Sequence, residues 1–225
     1  MDPNERDAWR PMGFGPRKSR DVVQPLIEPL WEGLRVLVHW DRGAGPRIVE
    51  AGGVTVTDRF PEVTDALREA LGAETAVLDG YLTAQATRSG VGTSVTTVEP
   101  PTPGEMMGQM VLGKSGERAM GAGRPDPPVA HERPDVVAFV AVDVLELDGT
   151  DLLDVPLLER RRLLDSIIVE SDLVRRGLFV RAPVEPWLVS WRSIGFRKIA
   201  LKAQNGRYRP GTDADDWAIA DIPKR

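Results

Sequence analysis

The chain has 225 residues, 41% of them hydrophobic and 28% charged, which fits one large or two small soluble globular domains and excludes fibrous and membrane-spanning classes. It has no cysteine and only two histidines, His39 and His131, so disulfides, thiolate metal sites, cysteine nucleophiles and a histidine-rich metal centre are excluded. Twenty-nine Lys and Arg against 34 Asp and Glu leave a net charge of −5, which is not the footprint of an autonomous DNA-binding domain. The amino terminus lacks an apolar run of signal-peptide length, and no window approaches the roughly 20 apolar residues that span a bilayer, so a cytoplasmic protein with no membrane partner is expected.

Residues 1–24 are polar and punctuated by Pro and Gly, and read as an irregular lead-in to a domain over 25–225. Leu34 to Trp40 alternates and is β-branched, Asp41 to Pro46 is turn material, and Arg47 to Glu50 returns, which predicts a hairpin continued by Val54 to Val56. Pro61 to Leu71 places Val63, Ala66, Leu67, Ala70 and Leu71 on one helical face with Gly72 as the stop. A buried strand follows over Thr75 to Leu78 and continues beyond Asp79-Gly80 through Tyr81 to Ala84.

From about 87 to 134 the chain turns rich in Gly, Pro, Ser and Thr, and reads as a long insert. Met106, Met107 and Met110 lie on a short helical stretch within it and make the insert a candidate protein contact. The continuous apolar run Val136 to Leu145 predicts a central strand buried on both faces. Leu157 to Ile168 is a helix whose Arg160-Arg161-Arg162 is read as a solvated or salt-bridged face. Phe179 to Arg181 is a strand, Trp187 to Ser193 a helix, and Lys198 to Lys202 a strand, followed by a turn over Asn205 to Gly211 and a closing segment around Trp217.

Motifs between these elements resemble the adenylation (nucleotidyltransferase) domain of ATP-dependent DNA ligases, especially the bacterial end-joining type. Ile27-Glu28-Pro29-Leu30-Trp31-Glu32-Gly33-Leu34-Arg35 is similar to the family's nucleophile motif, Glu-Pro-Lys-Trp-Asp-Gly-Tyr-Arg. Glu50 to Gly53 with Arg59-Phe60-Pro61-Glu62, Leu78-Asp79-Gly80-Tyr81, and Val142-Asp143 with Leu147-Asp148-Gly149 fall where the family has its next motifs. Arg197 to Lys202, Arg207 to Gly211 and Asp216-Trp217 complete the series. The match spans roughly residues 11–221. It implies an α+β fold, the ATP-grasp-like DNA-ligase adenylation domain, with antiparallel sheets flanked by helices and no OB-fold domain before the chain stops at Arg225.

The resemblance also marks what the site lacks. The family's lysine, which attacks the α-phosphate of ATP, is Leu30, and its acidic neighbour is Glu32. The nucleotide-contacting Arg is Ala51, the metal or ribose Glu is Tyr81, the adenine-stacking aromatic is Val142, and the second metal-side Glu is Arg197. The two late phosphate lysines are Ile219 and Asp221, and Arg35 and Lys202 alone keep their type among polar groups of the pocket. With Glu28 these are the degenerate nucleotide-pocket positions, and they predict no catalytic residue, no metal and no resident cofactor. The expected role is binding a protein partner in a DNA repair complex, with DNA ends or nucleotide as weaker partners. The alternative is an active, divergent ligase or nucleotidyltransferase that uses ATP and Mg with Lys202 or His39 as its nucleophile. Arg160 to Arg162, Arg175-Arg176 and the Arg207/Arg209 turn are the candidate basic surface.

Overall fold

A computed structural model describes residues 6–88 and 136–223. Among the described residues, eleven strands and four α-helices position the site. The strands are β1 (Gly13–Phe14), β2 (Pro25–Pro29), β3 (Leu34–Asp41), β4 (Gly45–Glu50), β5 (Thr75–Thr83), β6 (Ala138–Leu147), β7 (Thr150–Asp151), β8 (Val174–Arg176), β9 (Lys198–Ala203), β10 (Asp213–Ala214) and β11 (Trp217–Asp221). Two helices matter most here, α1 (Pro61–Ala70) and, further along, the helix Leu157–Ile167. That later helix is α3, because Gln85–Arg88 forms the short α2, and Glu185–Ser193 forms α4.

The larger sheet runs β4-β3-β5-β6-β7, with β8 parallel to β6 on the same sheet. Its first hairpin forms because the Asp41 side chain accepts the N–H groups of Gly43 and Ala44, both at 2.8 Å, and Gly45 takes the left-handed φ of +87° that closes the turn. Helix α1 starts on Pro61 and buries Val63, Leu67 and Ala70 against this sheet's core. β6 is buried along nearly its whole length, as its unbroken apolar run requires. Gly80 lies where β5 and β6 slip register, and a Cβ there would stand 2.4 Å from Val140 O, so the close strand approach demands glycine.

The smaller sheet is antiparallel, in the order β11-β9-β2. Its outer strand β2 is capped at both ends by proline, and Ile27, the residue between them that faces outward, exchanges 2.8 Å backbone bonds with Val180. No open N–H is left along that edge between Pro25 and Pro29. The strand expected over Phe179 to Arg181 therefore exists only as this bridge at Val180. Likewise Val54 to Val56 makes one bridge, Val49 to Thr55, and covers the β4 edge instead of extending the hairpin as a strand.

Two sequence expectations change. Residues 6–24 of the lead-in are largely irregular yet packed on the domain: Trp9, Met12 and Val22 are buried, and β1 pairs in parallel with β10. The run Arg160–Arg162 is salt-bridged but not a solvated face: Arg160 and Arg161 have no exposed surface and Arg160 pairs with Asp143 at 2.7 Å, while Arg162 is outside, paired with Glu159 at 2.6 Å. The insert and its methionines lie outside the described residues beyond Arg88, as does His131. Among the described residues no helix is long and apolar enough to cross a membrane.

Candidate functional site: one face of the small sheet and a buried ionic core

Register places five of the eleven expected pocket positions, Glu28, Leu30, Lys202, Ile219 and Asp221, on a single face. Directly opposed residues of an antiparallel sheet share a face, and alternate residues along a strand share it too. Trp217, Lys202 and Leu26 form an inner row, and Ile219, Ala200 and Glu28 form a middle row. Asp221 and Lys198 begin an outer row that Leu30 completes, its N–H bonding to Lys198 O at 3.0 Å. Exposure rises along these rows: the inner row is buried, Ile219 in the middle row is 41% exposed, and Asp221 and Lys198 are exposed beside a half-buried Leu30. The face is therefore closed at Trp217 and open at Leu30.

Lys202 sits at the closed end, 2% exposed, with its Nζ 3.2 Å from Glu28 Oε2 and 4.5 Å from the centre of the Trp217 ring. Burial pulls the Lys202 pKa below its ordinary value, and the Glu28 carboxylate pulls it back up. Glu28 Oε1 is buried and makes no hydrogen bond.

A second cluster abuts this end. Arg35 and Tyr81 are opposed across β3 and β5, and Arg35 donates to the Tyr81 hydroxyl at 3.2 Å. Arg35 grips Asp79 through two bonds of 2.9 and 2.6 Å, with its guanidinium 5.9 Å from the Trp217 ring centre. Burial opposes the Arg35 charge, but the charge and hydrogen bonds of Asp79 outweigh it and raise the pKa well above normal. The Tyr208 hydroxyl donates to Asp79 Oδ2 at 2.8 Å and accepts the Met12 N–H at 2.8 Å. Burial, followed by the neighbouring Asp79, keeps that phenol protonated far above its usual range.

Opposite Asp79, Asp143 is clamped by Arg160 from α3 through bonds of 2.9 and 2.7 Å. Arg160 also donates to Val155 O and Gly206 O, and its guanidinium lies 5.7 Å from the Tyr208 ring centre. Arg161 donates to the carbonyls of Val142 and Gly177. The candidate basic surface is thereby largely consumed: Arg176 bonds Glu170 at 3.1 Å and stands 3.6 Å from Asp165, while Arg175 pairs with Asp172.

The other expected positions are not on the face. Ala51 is exposed in the turn after β4, Val142 is buried in β6, and Glu32 is exposed with its N–H on Gln85 Oε1 at 3.1 Å. Arg197 is exposed and donates to Phe196 O at 3.2 Å. His39 stands near Asp7 and Arg47, at the far end of β3 from Arg35; burial, then Arg47, lowers its pKa to about 4. Asp79, Asp143, Arg160, Tyr208 and Trp217 were absent from the expected site. The usable signal was an acid inside each of two apolar strands, since a buried carboxylate must find a cation. Among the described residues no group of three or more His, Cys, Asp or Glu side chains could hold a metal ion.

Known proteins share this fold. A model of the ATP dependent DNA ligase domain matches residues 20–218. The probable DNA ligase of Streptomyces coelicolor is 31% identical over 196 residues, 85% of this chain and 34% of that protein. The multifunctional non-homologous end joining DNA repair protein LigD of Mycobacterium tuberculosis is 28% identical over 194 residues, 86% of this chain and 21% of that one. The solved ligase domain of M. tuberculosis LigD has a TM-score of 0.59 at 22% identity, covering 94% of this chain and 58% of that chain. A mycobacterial DNA ligase D complexed with ATP and MES has a TM-score of 0.59 at 23% identity, with coverages of 94% and 59%. These two likenesses establish the fold. The chain spans about a third or less of the length of the curated relatives it matches, between 21% and 34%.

Proposed function

The chain belongs to the ATP-dependent DNA ligase domain family, and from that premise we propose that it is a ligase-type adenylation domain that no longer adenylates itself and works by binding within DNA repair. One observation carries this reading. The sheet face that collects the family's nucleophile and phosphate-neutralising positions holds Leu30, Ile219 and Asp221 there, and its inner lysine, Lys202, is already paired with Glu28. An alkyl side chain at position 30 has no lone pair to attack phosphorus, and two lost cations plus one added anion leave little to hold a triphosphate.

A protein partner suits the domain better than DNA, because most of the arginines that would have made a basic surface, Arg160, Arg161, Arg175 and Arg176 among them, are buried or paired, which leaves the exposed Arg207 and Arg209 turn. DNA repair as the setting comes from the named relatives, LigD among them. The test is incubation with labelled ATP and magnesium, followed by intact-mass measurement. No covalent nucleotide is expected; one AMP bound per chain would overturn the reading.

A second reading, transfer through a substitute nucleophile, has one observation in its favour: the burial that lowers the Lys202 pKa also favours its neutral, attacking amine. That reading requires an adduct that Lys202→Ala abolishes. His39 is less suited, because it sits with Asp7 and Arg47 and away from Lys202.

A further inference from the structure

The geometry points to the C-terminal end of α4, where Arg192, Arg197 and Lys198 meet beside Val189, as a docking surface for an acidic, leucine-bearing segment of a partner protein. The inference rests on the binding-only reading above and names the chemistry of that partner. Hydrogen bonds bring the three cations together from different elements. The Ile222 N–H bonds Arg197 O at 2.8 Å, which lays the end of β11 beside the start of β9. Arg192, in the last turn of α4, donates through Nη1 to the carbonyl of Pro223, the residue after Ile222. Arg197 donates through Nη1 to Phe196 O at 3.2 Å and to Arg192 O at 3.4 Å. Lys198 follows as the first residue of β9 and is exposed. Where the family's motif reads glutamate this chain has Arg197, so the cluster is not one that the motif carries.

These bonds hold each guanidinium by one corner, and the acceptors are neutral carbonyls. Among the described residues no carboxylate stands within ion-pair distance of Arg192, Arg197 or Lys198, and no hydrogen bond uses Nε or Nη2 of either arginine. Asp221, which register sets opposite Lys198, forms no ion pair with it. Exposed arginines elsewhere differ: Arg42, Arg162 and Arg207 lie 2.9, 2.6 and 3.9 Å from Glu74, Glu159 and Asp154. A chain of net charge −5 thus keeps an uncompensated positive cluster at this one end of α4. The Nε and Nη2 edge of arginine takes a carboxylate in two parallel bonds, and anchoring it beforehand lowers the ordering cost of binding. Pro186, Val189 and Arg192 stand three residues apart and form one ridge of the helix, on which Pro186 is exposed and Val189 is 47% exposed. An apolar ridge that ends in cations matches a segment with apolar and acidic residues together. A phosphodiester backbone supplies the charge but nothing to cover Val189.

The experiment is fluorescence anisotropy of the full chain with a labelled peptide of Glu-Glu-Leu repeats. Wild type is expected to bind it, and Arg197→Glu/Lys198→Glu, a change at two exposed positions, to weaken binding at least about tenfold. Arg162→Glu/Arg207→Glu, an equal charge change elsewhere on the surface, should weaken it less than about threefold. A peptide of Glu-Glu-Ser repeats should bind wild type at least about threefold more weakly than the leucine peptide, and Val189→Ser should erase that difference. No binding by wild type, equal losses in the two double variants, or a serine peptide that binds as tightly as the leucine one overturns the inference. So does a single-stranded oligonucleotide of the same charge that binds more tightly than the peptide, which would make the cluster a phosphate surface. A covalent AMP on the wild-type chain would instead sink the functional reading, whichever way these titrations fall.

Discussion

The closed and open ends of the site obey different rules. At the closed end, Arg35 with Asp79, Arg160 with Asp143 and Lys202 with Glu28 bring six charges together with almost no water. At the open end, positions 30, 219 and 221 carry Leu, Ile and Asp, half-buried at 30 and exposed at 219 and 221. A buried charge is removed only at the cost of stranding its partner, whereas a half-exposed or exposed one can be exchanged while water makes up the difference. Residues near solvent can therefore be exchanged with the fold intact, while each buried charge is held in place by its partner.

The largest effect that would test this contrast is expected from Asp143→Ala. It leaves Arg160 charged and buried, and should cost about 3–5 kcal/mol by urea denaturation, while Asp143→Leu/Arg160→Met costs much less because no charge is stranded. If the single and double variants cost the same, the closed end is not held by charge pairing.

A drop in pH probes a half-buried group at the far end of β3. His39 has its pKa lowered from 6.5 to about 4, so between those values the unfolded chain binds a proton that the folded chain does not. The contribution is full above pH 6.5 and is lost as pH falls through that window, with an upper limit of about 3 kcal/mol. His39→Gln should accordingly lose less stability than wild type between pH 7.5 and 4.5. Equal losses would place the imidazole in water.

A smaller cost, about 1–3 kcal/mol, is expected from Tyr208→Phe, which strands the Met12 N–H and removes a donor from Asp79. Hydrogen exchange at Met12 should speed up with it; an unchanged rate would mean the lead-in is held by apolar contacts alone. The smallest effect belongs to the open end, where Ile219→Lys should leave the unfolding free energy within about 0.5 kcal/mol of wild type. A loss above about 2 kcal/mol would erase the distinction between the two ends.

Local patterns foretold much of the architecture. The hairpin at 34–50, α1 and the central strand β6 were readable because each repeats apolar residues at the period of its own element or runs apolar without a break. β2 was harder to see, since two prolines in five residues argue against a strand until the edge they protect is known. The same holds for Trp9, Met12 and Phe14: short apolar residues among Pro and Gly carry no period, and they became core only when the 208–217 segment came to lie beside them. Arg160 and Arg161 misled because a charge run on a helix is ordinarily solvated. Here the acid that accepts Arg160 is Asp143, 17 residues away and inside β6.

By itself the sequence determined the family, because the motif order is written in the chain, and it shows Leu30 where the family's motif reads lysine. Only the tertiary structure decided that Glu28, Leu30, Lys202, Ile219 and Asp221 share one face, closed by Trp217 and open at Leu30. Pairing two carboxylates with two arginines across β3, β5, β6 and α3 is likewise a tertiary outcome. Strand register and desolvation set which charges meet, and both arise from contacts between segments far apart in the chain.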